Sequence, residues 1–299
     1  MRRSLTALLV LALVSGCSSS GDADDTASPT TGASAGDAGV TVSDDTTTAP
    51  EITVPGGDPP TELLSDVVVE GDGDTVAAGD LLLADYTGVL WDDGEEFDSS
   101  WSRGTPNAFG IGLGAVIEGW DTGLVGASVG DRVLLVIPPE LGYGEQGSPG
   151  GIPGGATLVF AVDIRDTFGV TDDIGGSAVS DLPEGLPVVE GDPGEPPTID
   201  VSSAAEPDTS TSVVVVEGDG EVVEGDTVVV HAVQAPLSTG EVAFSSWESA
   251  PQSLPRDGLP GLSDALDGAT VGTRVVSVVS ADDNEGEALV LVLDVLGAF

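Results

Sequence analysis

The chain has 299 residues, with 52 Asp and Glu against 7 basic residues, all of them Arg, giving a net charge of −45. Such a polyanion repels phosphate backbones and anionic lipid surfaces, which excludes nucleic-acid binding and charge-driven membrane adhesion. A single Cys and a single His cannot build a zinc site or a disulfide framework. Apolar residues at 40%, with 43 Gly and 20 Pro, fit β-rich domains joined by unstructured linkers.

In chain order, the first element is an address. Arg2 and Arg3 precede an apolar run from Leu5 to Val14 that stops at small residues. This is the pattern of a secretory signal peptide, 1–16, and is far short of the ~20 residues of a membrane span. Val14-Ser15-Gly16-Cys17 resembles the lipobox of bacterial lipoproteins, the alternative being an ordinary signal with an incidental Cys. The resemblance implies lipid on Cys17 and an extracytoplasmic protein held to the outer face of the cell membrane. Two acyl chains would anchor it stably. Residues 17–50, rich in Ser, Thr, Gly and Asp, are expected to be a disordered tether, since they bury too little to offset ordering.

The remainder divides by an internal repeat. Pro50-Glu51-Ile52-Thr53-Val54 recurs as Pro197-Thr198-Ile199-Asp200-Val201, and Val67–Gly73 recurs as Val214–Gly220. Ser99-Ser100-Trp101 returns as Ser245-Ser246-Trp247, and Val129-Gly130-Asp131-Arg132-Val133 as Val271-Gly272-Thr273-Arg274-Val275. A duplicated domain is implied, with 51–168 as first copy, 169–196 as linker and 197–299 as second copy. In the first copy, Leu81–Leu90, Arg132–Ile137 and Thr157–Ile164 read as strands, being apolar runs bounded by Gly, Pro and Asp. Val116, Ile117, Trp120 and Leu124 have the spacing of one helical face. Antiparallel strands and one short helix predict an α+β domain with the sheet curling over the helix.

Tyr86-Thr87-Gly88, Gly94–Ser100, Val116-Ile117-Glu118-Gly119-Trp120, Ile137–Gly144 and Ile152 through Phe160 closely resemble the FKBP-type peptidyl-prolyl isomerases, over about residues 60–168. The resemblance implies two antiparallel β half-barrels, five-stranded in the family, each wrapped around one short helix. It makes Trp120 the floor of an apolar pocket, with Tyr86, Phe97, Val116, Ile117, Ile152 and Phe160 as walls. Tyr143 and Asp98 would be polar rim groups, and Arg103 would pair with Asp98. Implied ligands are Pro-containing unfolded or exported polypeptides and macrolide inhibitors; implied chemistry is cis–trans isomerisation without a cofactor. Asn107, Gly151 and Ala115 depart from the family's aromatic, aliphatic and acidic residues at those places. A second reading of the same pocket is a binding or chaperone lipoprotein that captures Pro-containing segments without turnover.

The second copy loses the site. Ala232, Ala243, Phe244 and Leu262 stand for Tyr86, Phe97, Asp98 and Trp120, and the segment before Leu289 is about eleven residues shorter than that before Leu158. No isomerase activity is expected from it. His231, alone on its strand, reads as a structural or exposed histidine. Asp282–Glu287 lacks the spacing of a calcium loop and reads as a solvated acidic turn.

Overall fold

A computed structural model describes residues 38–149, 151–169, 174–284 and 286–299. Residues 1–16 and Cys17, assigned above to a signal and a lipid site, lie outside them. So does the tether up to residue 37.

The strands of the first half are β1 (Thr41–Val42), β2 (Ile52–Thr53), β3 (Leu64–Val69), β4 (Leu81–Leu90), β5 (Glu96–Ser99), β6 (Asn107–Gly110), β7 (Arg132–Ile137) and β8 (Leu158–Phe168), with helix α1 (Glu118–Gly123) between β6 and β7. Six of them form one antiparallel sheet in the order β3-β7-β8-β4-β5, with β6 on the other half of β4. The sheet therefore has six strands where five were expected. Length explains it: the ten residues of β4 pair with β6 through 81–84 and with β5 through 87–89.

Side chains alternate across the sheet. Leu82, Ala84, Tyr86 and Leu90 of β4, Val133, Leu135 and Ile137 of β7, and Leu158, Phe160, Val162 and Ile164 of β8 form the inner core with α1. The opposite face is also buried. Val89, Leu134, Val136 and Val159 pack there with Trp91, Val40, Val42, Ile52 and Val54. All ten residues of β4 and all six of β7 are buried as a result.

That second cover overturns one expectation. Residues 38–50, expected to be disordered tether, form with β2 an arm laid on the outer face. β1 pairs with β2, and Val40 is 4% exposed. Arg132 is fully buried in a strand of apolar neighbours, and its charge must be satisfied there. It makes a two-point ion pair with Asp163 at 2.6 and 2.8 Å, then donates to Ser43 O at 2.7 Å and Thr48 O at 3.2 Å. The arm is thus held by its backbone carbonyls, which composition does not record.

The second half contains β9 (Gly176–Ala178), β10 (Val188–Glu190), β11 (Thr198–Asp200), β12 (Thr211–Gly218), β13 (Thr227–Pro236), β14 (Phe244–Ser245), β15 (Gln252–Pro255), α2 (Leu262–Ala265), β16 (Arg274–Val279) and β17 (Leu289–Ala298). Its sheet runs β14-β13-β17-β16-β12-β9, with β15 also on β13. The presumed linker 169–196 is not all linker, because β9 joins this sheet and β10 pairs with β11 as an outer arm. Arg274 repeats the device of Arg132, binding Asp294 at 2.5 and 2.7 Å and donating to Gly191 O and Asp192 O. Leu81, Leu83 and Phe168 meet Val229 and Leu296 in a small apolar cluster between the two sheets. No helix among the described residues is long and apolar enough to cross a membrane.

Candidate functional site

Helix α1 has six residues, too few to be stable alone, so its position comes from tertiary contacts. Asp121 accepts the amides of Gly112 and Gly114, each at 2.7 Å, and so ties the helix to the loop before it. At Gly119 an added Cβ would lie 2.5 Å from Ile137 Cγ2. The missing side chain lets the helix settle onto β7 and turns Trp120 towards β4 and β8. Val116 and Ile117, expected on the helix, lie just before it, Ile117 being its N-cap; both pack against the inner core.

Trp120 is the hub of an aromatic cluster. Its ring meets Tyr86 at 5.4 Å, Phe160 at 5.3 Å and Phe109 at 4.9 Å, all edge to face. Phe97 meets Phe160 edge-on at 5.4 Å. Edge-to-face rings at these separations attract beyond the area they bury. Gly88 makes room for the last pair, since a Cβ there would lie 2.6 Å from Phe97 and 2.7 Å from Phe160. Among the described residues the buried Trp120 Nε1 has no hydrogen-bond partner, so this side chain is held by packing alone.

One polar corner borders the cluster. The Tyr86 hydroxyl donates to Asp98 Oδ2 at 2.5 Å, Arg103 Nη1 donates to Asp98 Oδ1 at 2.6 Å, and Arg103 Nη2 donates to the Tyr86 oxygen at 2.8 Å. Burial, and then the bond to Asp98, push the Tyr86 phenol up to about 12. Burial of Asp98 opposes its charge, but the Tyr86 hydroxyl and Arg103 outweigh it and hold the carboxyl below its ordinary value. Arg103 and Asp98 are each more than two-fifths exposed, so the pair contributes about 1 kcal/mol or less. Its effect is to fix the Tyr86 hydroxyl away from the cluster.

Tyr86, Phe97, Trp120, Phe160, Val116, Ile117 and Ile152 are brought together in one core, and Asp98 and Arg103 join it through Tyr86. Tyr143 stands apart, exposed on the turn between Leu141 and Gly144. Ile152 is buried in the connection between β7 and β8, where the Ser148 amide donates to Ile152 O at 2.9 Å. Sequence reasoning missed Phe109. It stands on β6 opposite Leu82 of the inner face, as Asn107 stands opposite Ala84. A groove of about 980 Å³ lies elsewhere, lined by Thr105, Pro106, Asp226, Arg256, Asp264 and Phe299, and none of the aromatic cluster lines it. No metal-binding group of His, Cys, Asp and Glu occurs among the described residues.

The arrangement offers an apolar aromatic cluster with a fixed hydroxyl and carboxylate at its edge, and no nucleophile–base pair. A family model described as FKBP-type peptidyl-prolyl cis-trans isomerase matches residues 73–165. The FK506-binding protein of Streptomyces anulatus is 48% identical over 116 residues, which are 38% of this chain and 94% of that protein. Human peptidyl-prolyl cis-trans isomerase FKBP2 is 57% identical over 86 residues, 29% of this chain and 60% of that protein. The FK506-binding protein 2B of Rhizopus delemar is 59% identical over 89 residues, 30% of this chain and 43% of that protein. A crystal structure of AtFKBP13 is similar at 37% identity and a TM-score of 0.34, covering 37% of this chain and 96% of that one. The chain belongs to the FKBP-type peptidyl-prolyl cis-trans isomerase family.

Proposed function

We propose that the first sheet isomerises X-Pro bonds of exported polypeptides, and that the second sheet is a copy of the same domain without the site. The observation that carries this reading is the edge-to-face cluster of Tyr86, Phe97, Phe109, Trp120 and Phe160, with its one hydroxyl locked to Asp98.

The chemistry suits an apolar pocket. Rotation about X-Pro meets a barrier of ~18–20 kcal/mol because amide resonance must break. Water stabilises the charge-separated resonance form, so an amide moved among aromatic rings loses less on twisting. Trp120, Phe97 and Phe160 grip the Pro ring, Val116, Ile117 and Ile152 line the approach, and the exposed Tyr143 hydroxyl holds a peptide carbonyl. No charged group takes part in bond making. A gain of about 1.4 kcal/mol is already tenfold in rate, so shape and desolvation suffice. The aromatic walls also suit the macrolide that the FK506-binding relatives are named for.

In the second sheet Ala232 replaces Tyr86, Phe244 replaces Asp98 and Leu262 replaces Trp120. Ile137 pairs with Leu158 as Val279 pairs with Leu289, so the shorter connection there lacks the segment equivalent to Tyr143 and Ile152. This half supports or spaces the first. The signal-like residues 1–16 and Cys17 support export and lipid anchoring at the outer face of the membrane. The anchoring test is metabolic labelling with a tagged fatty acid, which Cys17→Ser must abolish. The isomerase test is refolding of a protein whose slow phase is X-Pro isomerisation, tens of seconds uncatalysed. Catalytic amounts of the full chain shorten that phase. Pure capture would instead hold the client and lengthen it, and would show the alternative binding role.

A further inference from the structure

Tyr86 and Asp98, the polar groups of the pocket, are held from behind the sheet. Ser100 follows directly on β5. Its amide donates to Tyr86 O at 3.0 Å, and its Oγ accepts the Tyr86 amide at 3.0 Å. The Ser100 hydroxyl then donates to Asp85 Oδ1 at 2.8 Å. The other oxygen of Asp85 accepts Arg165 Nε at 2.8 Å, and Arg165 Nη2 donates to Thr46 O of the arm at 3.0 Å. The guanidinium also lies 5.2 Å from the centre of the Trp101 ring. A continuous series of bonds thus runs from the outer arm, through the sheet, to the backbone of Tyr86. Tyr86 and Asp98 are joined in turn by their own hydrogen bond.

The second sheet is an internal control for this series. Asp85 pairs across the sheet with Asp163, and His231 pairs with Asp294. The register shift that skips Arg165 in β8 skips Leu296 in β17. Ala232 N still donates to Ser246 Oγ at 2.8 Å, and that oxygen meets His231 Nδ1 at 3.0 Å. The serine clasp on the backbone is therefore common to both sheets. What differs is the charged link: Asp85 and Arg165 are present where the aromatic site is present, and His231 and Leu296 stand where Ala232 has replaced Tyr86. A clasp serving the fold alone works with His231 and Leu296. The carboxylate and guanidinium go with the pocket.

We infer that Asp85, Ser100 and Arg165 are positioning residues for prolyl isomerisation, anchored by the carbonyl of Thr46 in the outer arm. The inference rests on the isomerase reading of the same pocket. Sub-ångström drift of Tyr86 and Asp98 misplaces the twisted amide without weakening ground-state binding, so the effect falls on kcat.

The test uses the full chain and an X-Pro peptide, with kcat and KM measured separately and thermal unfolding as the control for folding. Arg165→Leu, the residue of the second sheet, is expected to lower kcat about fivefold at unchanged KM. The double variant D85H/R165L, which installs the His–Ser pairing of the second sheet, is expected to regain at least about half of that loss. Arg165 is 31% exposed on its side chain, so its replacement spares the core. Should R165L nevertheless lose its cooperative transition, Arg165→Lys takes its place, because Lys cannot span Asp85 and Thr46 with one planar fork; the same fall in kcat is required of it. An active wild-type chain whose variant keeps kcat within twofold, or loses rate through KM, or is not rescued by the double variant, overturns the relay alone. An inactive wild-type chain overturns the isomerase reading and the relay with it.

Discussion

Replacing Trp120 by Leu, the residue at the matching place in α2, separates a pocket floor from an ordinary core aromatic. Trp120 is 4% exposed and makes edge-on contacts with Tyr86, Phe109 and Phe160. Three such pairs at the low end of about 0.5 kcal/mol each account for about 1.5 kcal/mol. Leu leaves roughly 60 Å³ unfilled, which at about 24 cal/mol per Å³ adds about 1.4 kcal/mol. The expected loss is therefore about 3 kcal/mol in the unfolding of the first half, read by urea denaturation, with the second half unaffected. X-Pro isomerisation by the still-folded variant should fall by at least about tenfold, since the surface proposed to grip the Pro ring is gone. Loss of stability with turnover intact would place Trp120 in the core and the pocket elsewhere. A loss below about 1 kcal/mol would refute the packing argument itself.

Three further outcomes follow from named contacts. Because Asp98 is held below its ordinary value, what its charge contributes is complete above about pH 4 and is lost as pH falls through the lowered value. The Tyr86 phenol, raised to about 12, keeps its proton through the neutral range, and its contribution is lost only as pH rises towards that value. The pH–rate profile should therefore be level from about pH 5 to 9, and a midpoint inside that window contradicts the polar corner. Gly88→Ala forces a Cβ against Phe97 and Phe160; an overpacking cost of about 1–3 kcal/mol and reduced turnover are expected, and an unchanged urea midpoint would refute the close fit. Arg132→Met removes both hydrogen bonds to the buried Asp163 and leaves it only Arg165, 3.8 Å away, at a cost of about 3 kcal/mol. It also removes two of the three arginine bonds to residues 43–48, leaving Arg165 on Thr46 O, so limited proteolysis should cut there first, and resistance to cleavage would count against the hold of Arg132 on the arm.

Much of the first sheet was legible because its strands are punctuated. Leu81–Leu90 and Arg132–Ile137 emerge with the expected bounds, set by Gly79-Asp80, by Trp91-Asp92 and by Pro138. β8 runs past the expected Ile164 to Phe168, since the register shift opposite Leu83 and Ala84 lets Arg165 and Asp166 continue the strand where the apolar signal stops. The arm was not legible. Its Ser, Thr and Asp composition is that of a flexible tail, and its anchors are carbonyls of Ser43, Thr46 and Thr48 that receive two arginines. The signal lay instead in the sheet. Strands that read as apolar runs rather than alternations are covered on both faces, and an Arg and an Asp inside such runs demand a polar cover. His231 shows the same logic: read as a structural or exposed histidine, it is 1% exposed, stacked 4.6 Å from Trp247.

The site was legible through motifs, not through pattern. Periodicity alone gave Trp120 and Leu124 one helical face, and nothing in composition joined Phe97 to Phe160 or Asp98 to Tyr86. The resemblance put Phe97 and Phe160 in one pocket and paired Arg103 with Asp98, and the geometry brings these together; the Tyr86–Asp98 bond is added by the structure. Phe109 escaped because a four-residue strand of Asn-Ala-Phe-Gly carries almost no strand signal. The two arms, each clasped by a buried Arg–Asp pair, extend the repeated unit beyond residues 73–165 of the family match. They give this chain a covered outer face.

The most direct measurement is cis–trans interconversion of a short X-Pro peptide by the full chain, set beside Tyr86→Phe with Trp120→Leu in one variant. Acceleration by the wild-type chain, and its loss in a variant that still unfolds cooperatively, is what a pocket built on these two side chains predicts. Equal acceleration by both proteins, or none by a folded wild-type chain, would contradict it.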